Sequence, residues 1–215
     1  MRALVAALLM LAVPLAAEEP PVSGDSVVRE QAAKQDTTHR RSFVGSPLFM
    51  LANAIPDNSP PKMAYVTLAY RLTPKDVLSL EFKTWQYGWP IGIPYGRSFE
   101  AEGEGFPGHI REHGVSVNYQ RFVRGQLFVQ VDVMPAFQTF VDEGGTKIDT
   151  GFQLFNTYSV GYQVTLLKGR VFFHPSIAMT HRPYQSRMPE GFQQVDDRWP
   201  RVFYGQPGLH VGYNF

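Results

Sequence analysis

The sequence predicts an all-β fold in which eight antiparallel strands follow one another up and down and close into a barrel. Two observations predict it: eight segments alternate apolar and polar residues, and the connections between them are alternately very short and long. A period of two is that of a β-strand, whose successive side chains point to opposite faces. No helical period of comparable length competes with it. The predicted strands span residues 42–52, 62–72, 76–87, 112–122, 126–138, 150–166, 170–181 and 201–215.

The segments differ in how clearly they alternate. The first is the least regular, whereas the second places Val66, Leu68 and Tyr70 on one face and Thr67 and Arg71 on the other. The fifth, sixth and last segments repeat the alternation of the second. Clusters of Gly, Pro and Asp separate the eight segments, which is the pattern of strands and turns. Each segment is therefore interpreted as a strand with one apolar and one polar face.

Short turns and long loops alternate along the chain. Turns of two or three residues are predicted at 73–75, 123–125 and 168–169, and longer loops near 53–61, 88–111, 139–149 and 182–200. The turns imply three hairpins in which apolar residues meet apolar residues and polar residues meet polar residues. The expected opposite pairs are Leu68–Leu80, Thr67–Glu81, Val117–Val131, Asn118–Gln130, Val160–Ile177 and Gln163–His174.

The polar faces carry many ionisable and amide groups, which suits a wet, hydrogen-bonded lumen with the apolar faces turned outward to lipid. The expected lumen network is Arg71, Glu81, Lys83, Asn118, Gln130, Asp132, Gln163, His174 and His210. Aromatic residues also gather near the strand ends, as interfacial girdles would require. The expected girdles are Trp85, Tyr87, Trp89, Phe140, Trp199, Phe203 and Tyr204 towards the long loops, and Tyr119, Phe122, Tyr162, Tyr213 and Phe215 towards the short turns.

The chain ends inside its last predicted strand. Leu209, Val211, Tyr213 and the terminal Phe215 alternate with polar or small residues. This ending resembles the assembly signal of outer-membrane barrel proteins, which the barrel-insertion machinery reads, although Gly208 and Gly212 flank the usual glycine position. Over residues 41–215 the chain resembles the small eight-stranded outer-membrane proteins of the OmpA membrane-domain and OmpX type. The resemblance implies a transmembrane barrel with short periplasmic turns and longer extracellular loops, and no particular activity.

The N-terminal residues indicate export. Arg2, an apolar stretch from Ala3 to Leu15 and the small residues Ala16 and Ala17 have the order of a cleavable signal peptide. We therefore expect a signal peptide at 1–17, a flexible periplasmic tail at 18–40 and the barrel at 41–215. The chain contains no cysteine, so disulfides and a lipidated cysteine are excluded. Its formal net charge of +1 gives no indication of a nucleic-acid partner.

Three functions remain open at this stage. The first is a non-enzymatic outer-membrane protein of a Gram-negative cell, monomeric, without metal or cofactor, with a structural or surface-binding role through its loops. Its expected partners are outer-membrane lipid, lipopolysaccharide and the assembly machinery, and an eight-stranded barrel is too narrow for a porin-like diffusion pore. The second is a lipid A deacylase or acyltransferase that uses His174 and Ser176. The third is a periplasmic lipocalin-like carrier, which requires the apolar faces to line a cavity.

Overall fold

The computed structural model describes residues 41–48, 50–51, 62–87 and 106–215. The predicted signal peptide, the predicted tail, the loop at 53–61 and most of the loop at 88–111 lie outside the described residues. The elements are β1 (Ser42–Pro47), β2 (Ala64–Arg71), β3 (Asp76–Tyr87), β4 (His109–Arg124), β5 (Leu127–Val141), β6 (Lys147–Tyr162), β7 (Val164–Leu166), β8 (Val171–Gln185), the helix α1 (Glu190–Asp196) and β9 (Val202–Asn214).

The strands form one closed antiparallel ring. Each strand from β1 to β5 pairs with the next strand in sequence, β8 pairs with β9, and β1 pairs with β9. Strands β6 and β7 lie on either side of Gln163 and both pair with β8, so together they act as one barrel strand. Pairing of β6 with β8 closes a ring of eight, as the sequence predicts. A closed ring leaves no open sheet edge with unpaired backbone groups.

Three short turns lie at one end of the barrel, which we call the turn side; the opposite end is the loop side. In the first turn, the backbone N–H groups of Lys75 and Asp76 donate to Oγ1 of Thr73 at 3.1 and 3.0 Å. The second and third turns contain Gly125 and Gly169, whose φ angles are +56° and +79°. Glycine adopts these angles without the steric penalty of a Cβ atom.

Two of the three predicted hairpin registers are confirmed. Leu68 pairs with Leu80 and Val160 pairs with Ile177. The second hairpin was predicted wrongly by two residues, because Val117 pairs with Val133 and Asn118 with Asp132. Here Arg124 pairs with Leu127 across a tight turn, and a bulge at Val123 absorbs the extra residue. An even shift keeps every side chain on its predicted face, so the assignment of faces survives the error.

The predicted strand boundaries are wrong mainly on the loop side. Strands β4, β5, β6 and β8 extend three or four residues further than predicted. The connection between β5 and β6 is consequently only residues 142–146, in place of the long loop predicted at 139–149. The connection between β8 and β9 contains α1, which the sequence did not predict. Among the described residues, no helix is both long and apolar enough to cross a membrane.

The distribution of polarity is inverted relative to a water-soluble protein. Large apolar side chains on the exterior are substantially exposed, for example Leu68 at 50 % and Val160 at 53 %. In the described part of the chain, the buried side chains include more polar and charged residues than hydrophobic ones. Charged residues are almost never fully buried in soluble proteins unless they are paired. The prediction of a lipocalin-like carrier is therefore wrong, because it requires the apolar faces of the strands to line a cavity and they point away from the lumen.

Candidate functional site

The centre of the lumen holds a buried cation between two carboxylates. Glu81 and Lys83 lie two residues apart on β3, and a period of two places both side chains inside the barrel. Lys83 Nζ lies 2.8 Å from Oε2 of Glu81 and also contacts Oδ2 of Asp132 on β5. All three side chains are less than 10 % exposed. This geometry stabilises charges that would be costly to bury alone.

Neutral side chains from neighbouring strands complete this central network. The hydroxyl of Tyr65 and the amide of Asn118 donate hydrogen bonds to Glu81, at 2.5 and 3.2 Å. Ser116 donates to Oδ2 of Asp132 at 3.2 Å. Hydrogen bonds to a charged acceptor are stronger than those between neutral groups. The network therefore ties four strands, β2 to β5, together through the lumen.

A second polar layer lies closer to the loop side. Gln138 and Gln153 donate to Oε2 of Glu112 at 3.0 and 2.5 Å, and Gln185 donates to Oε1 of Gln138 at 2.6 Å. The hydrogen-bonded chain crosses the lumen from β4 through β5 and β6 to β8. The sequence prediction did not name Glu112, Gln138 or Gln185. A signal was present for Glu112 and Gln138, which lie on the polar phase of their strands, whereas Gln185 lies on the opposite phase from His174 and follows a register shift between β6 and β8.

An aromatic cluster closes the turn side of the lumen. We call it the turn-side seal: Phe43, Ala69, Val77, Phe122, Phe128 and Phe172. The guanidinium carbon of Arg71 lies 5.7 Å from the ring centres of both Phe43 and Phe122. A cation over an aromatic face is attracted by the ring quadrupole, so the seal tolerates this buried charge. Gln163 accepts a bond of 3.5 Å from Arg71 and lies 3.0 Å from Nε2 of His174.

A larger apolar cluster closes the loop side. This loop-side seal consists of Phe106, Ile110, Phe140, Met188, Phe192, Val195, Trp199 and Phe203. The helix α1 contributes Phe192 and Val195, and it is fixed by a buried ion pair. Asp196, which is fully buried, accepts from Arg182 on β8 at 2.7 Å and lies 2.9 Å from Arg201. The connection between β8 and β9 thus folds over the mouth of the barrel.

The two seals correct the predicted aromatic girdles. Phe122, Phe140 and Phe203 lie on the inward phase of their strands and are at most 6 % exposed, and Trp199 is buried in the loop-side seal. Trp85 is partly buried and packs against the same seal. Position near a strand end does not reveal which face a residue occupies, which is why these assignments were wrong. Trp89 and the side chain of Tyr87 lie outside the described residues.

The exterior aromatic row on the loop side is formed by different residues. His113, Phe137, Phe152 and Tyr184, from β4, β5, β6 and β8, contact one another in sequence, with ring centres 6.3, 5.6 and 6.0 Å apart. Phe137 and Tyr184 are more than half exposed. On the turn side, the predicted Tyr162, Tyr213 and Phe215 are exposed on the exterior at 51, 45 and 64 %. The exterior therefore has aromatic residues towards both ends of the barrel.

The residues of the enzymatic alternative lie inside the lumen. His174 and Ser176 on β8 line a polar cavity of about 50 Å³, together with Glu81, Gln130 and His210. The hydrogen-bond partner of His174 Nε2 is Gln163. A general base must lie within hydrogen-bond reach of its nucleophile, and the observed partner of the histidine is an amide. Gln130 and His210 are half-buried, and the other predicted lumen residues are buried.

The predicted assembly signal lies on β9, which closes the barrel against β1. Leu209, Tyr213 and Phe215 are exposed on the exterior, and Val211 is partly exposed. Tyr213 pairs with Val44 of β1. The backbone N–H of Phe215 donates to the carbonyl of Ser42 at 3.0 Å. The terminal residues therefore form part of the seam between the first and last strands.

No protein-family model and no curated protein matches this chain. Among solved structures, the crystal structure of Neisserial surface protein A aligns with 81 % of this chain and 95 % of that chain, at 12 % identity and a TM-score of 0.37. A likeness this weak carries no argument about function. Among the described residues, no cluster of His, Cys, Asp or Glu has the composition of a metal site. On its own strand pairing, the chain is a closed antiparallel β-barrel with a polar, doubly sealed lumen.

Proposed function

We propose that this protein is a non-enzymatic, non-conducting β-barrel of a Gram-negative outer membrane, with a structural or surface-binding role on its loop side. The observation that carries the proposal is the inversion of polarity: an apolar exterior surrounds a lumen of buried charges and amides. Monomeric soluble proteins rarely expose contiguous apolar patches larger than a few hundred Å². In a lipid environment the exterior side chains face hydrocarbon, so their exposure no longer carries the free-energy cost of apolar surface in water.

The closed ring supports the same placement. In hydrocarbon every backbone polar group needs an internal partner, and only helices and closed barrels provide one throughout. The pairing of β1 with β9 and of β6 with β8 supplies those partners around the whole ring. The exterior aromatic residues towards both ends are consistent with two membrane interfaces.

The filled lumen favours a non-conducting barrel over a porin-like one. Four layers of side chains follow one another along the barrel axis. From the turn side they are the turn-side seal, the central network around Lys83, the second polar layer around Glu112 and the loop-side seal. Each layer is held by contacts between side chains from more than one strand of the ring. Solute passage would require several of these layers to open together.

Export and assembly complete the proposal. Residues 1–17 would be removed as a signal peptide and residues 18–40 would form a periplasmic tail, which places the turn side in the periplasm. The barrel would insert as a monomer through the assembly machinery, which would read Leu209, Val211, Tyr213 and Phe215. Its partners would be outer-membrane lipid and lipopolysaccharide around the exterior and surface ligands at the loops.

Fractionation and electrophoresis test this function. The precursor is expressed in a Gram-negative host, and outer-membrane fractions are run on gels with and without heating. We expect the protein in the outer-membrane fraction with heat-modifiable migration, and no steady conductance in planar bilayers. Recovery as a soluble periplasmic protein would refute the membrane placement. A stable open conductance from the folded protein would refute the closed lumen.

A further inference from the structure

The exterior of β2 to β5 carries a groove of about 460 Å³ towards the loop side. Strand register explains its shape. Ala64 pairs with Thr84, Thr84 with His113, and His113 with Phe137, so these four residues form one row across the outer face. Ala64 and Thr84 are small, whereas His113 and Phe137 are large. The small pair leaves a depression that the neighbouring side chains do not fill.

The floor of the groove is apolar and lies over an irregular part of the wall. Pairing between β4 and β5 stops after Gly114 and Ala136 and resumes at Val117 and Val133. Pro135 lies in this gap, and proline has no backbone N–H to donate to a ladder. Val66 and Phe82 form the turn-side border, exposed at 44 and 47 %. The groove therefore offers an apolar surface of a size typical of small-molecule sites, about 300–1,000 Å³.

Basic residues lie immediately on the loop side of the groove. Lys62 precedes Ala64 by two residues, and Arg111 precedes His113 by two residues on β4. Both are exposed, and both act electrostatically on His109, the first residue of β4. We call Lys62 and Arg111 the basic rim. The apolar groove lies nearer the middle of the barrel and the basic rim nearer its loop side. A membrane lipid of the loop-side leaflet has its acyl chain and its headgroup in the same order.

We propose that the groove and the basic rim bind one anionic lipid of the loop-side leaflet, with an acyl chain in the groove and its phosphate at the rim. The inference rests on the membrane placement proposed above and adds a defined lipid site to it. The charge complementarity is specific: a basic residue near the membrane surface strengthens attraction to anionic lipid about five-fold. A second copy of this chain is a poorer occupant, because the exposed apolar side chains on its strands, such as Leu68 and Val160, supply no anion for the rim.

The test compares retention of two probe lipids by the folded barrel. The protein is folded in detergent, mixed with phosphatidylglycerol or with phosphatidylcholine of identical acyl chains, and examined by native mass spectrometry. Two double variants address the two halves of the site: Ala64→Leu with Thr84→Leu fills the groove, and Lys62→Gln with Arg111→Gln neutralises the rim. Val160→Leu, which adds bulk to the exposed exterior of β6, is the matched control. Heat-modifiable migration is measured on every sample.

We expect the native protein to retain one phosphatidylglycerol in preference to phosphatidylcholine. The groove-filled variant should lose retention of both lipids, while the rim variant should lose only the preference, by a factor of about ten or more for two charges. Val160→Leu should behave as the native protein. If the groove-filled variant does not fold, the rim variant decides alone.

Equal retention of the two lipids by the native and the rim-neutralised proteins would overturn the site, as would dimers in place of lipid adducts. The result is separable from the proposed function. A protein that shows no heat-modifiable folded form refutes the membrane barrel itself. A protein that folds but does not prefer phosphatidylglycerol refutes only the lipid site.

Discussion

The ammonium group of Lys83 lies 2.8 Å from Glu81 Oε2 and also contacts Asp132, so one buried cation holds two buried carboxylates. The three residues belong to β3 and β5, which are separated by β4 in the ring. Their interaction therefore spans the interior instead of following the hydrogen-bonded ladder. Loss of one charge at the centre of the lumen is therefore expected to lower the stability of the whole barrel.

Lys83→Met is expected to destabilise the barrel by about 3–5 kcal/mol, because it leaves Glu81 and Asp132 as buried like charges without a cation. Urea unfolding from lipid vesicles measures the effect. The control is the triple variant Lys83→Met, Glu81→Gln, Asp132→Asn, which removes all three charges together. We expect it to recover at least part of the lost stability. A triple variant less stable than the single one would mean that the cation is not the dominant interaction.

Asp196→Asn is expected to release α1 from the mouth of the barrel. The substitution leaves the buried Arg182 without its counter-charge, at a cost of about 3–5 kcal/mol to the local structure. Hydrogen exchange of residues 186–201 and limited proteolysis measure the opening. The neighbouring Asp197→Asn is the control, because Asp197 is exposed and its carboxylate accepts a hydrogen bond from Gln193 in the preceding turn. Equal protection in both variants would show that the ion pair does not hold the helix.

Gly212→Ala tests the close packing of the turn-side seal. Phe172 pairs directly with Gly212, and an added Cβ atom would lie 2.1 Å from the Phe172 ring. The ring is fully buried and packs against Phe43 and His174, with ring centres 4.9 and 4.5 Å away, so its movement is restricted. We expect a loss of about 1–3 kcal/mol from overpacking. The double variant with Phe172→Leu should recover stability; if it is weaker still, the steric explanation is wrong.

Phe215→Ser is expected to lower the yield of folded barrel several-fold. Phe215 is 64 % exposed on the exterior and its backbone N–H bonds to β1, so the substitution removes an interfacial anchor at the seam without opening a cavity in the lumen. Folded protein in outer-membrane fractions is measured at matched expression. Tyr204→Ser, at a residue 72 % exposed, is the control. Equal yields for the two variants would argue against a terminal assembly signal.

The sequence by itself determined the ring of eight strands, the three tight turns and the face to which most side chains belong. These features depend on local rules: a period of two sorts the two faces, and a short turn fixes which residues of a hairpin can meet. Two registers follow correctly for that reason. The register of the second hairpin differs by two residues, because a bulge at Val123 followed by the tight turn beside Gly125 has nearly the same sequence signal as a three-residue turn.

Only the tertiary structure decided which side chains meet across the lumen. The contacts of Lys83 with Asp132 and of Glu112 with Gln153 join strands that are separated by one strand of the ring, so they depend on the curvature of the sheet. The contact of Arg182 with Asp196 depends on how the connection between β8 and β9 folds over the mouth of the barrel, and no local pattern encodes either arrangement. Closure of the barrel also explains why several aromatic residues were assigned to the wrong face. Proximity to a strand end suggested girdles, but Phe122 and Phe140 occupy inward positions and become seals, because a closed barrel needs its interior filled at both ends.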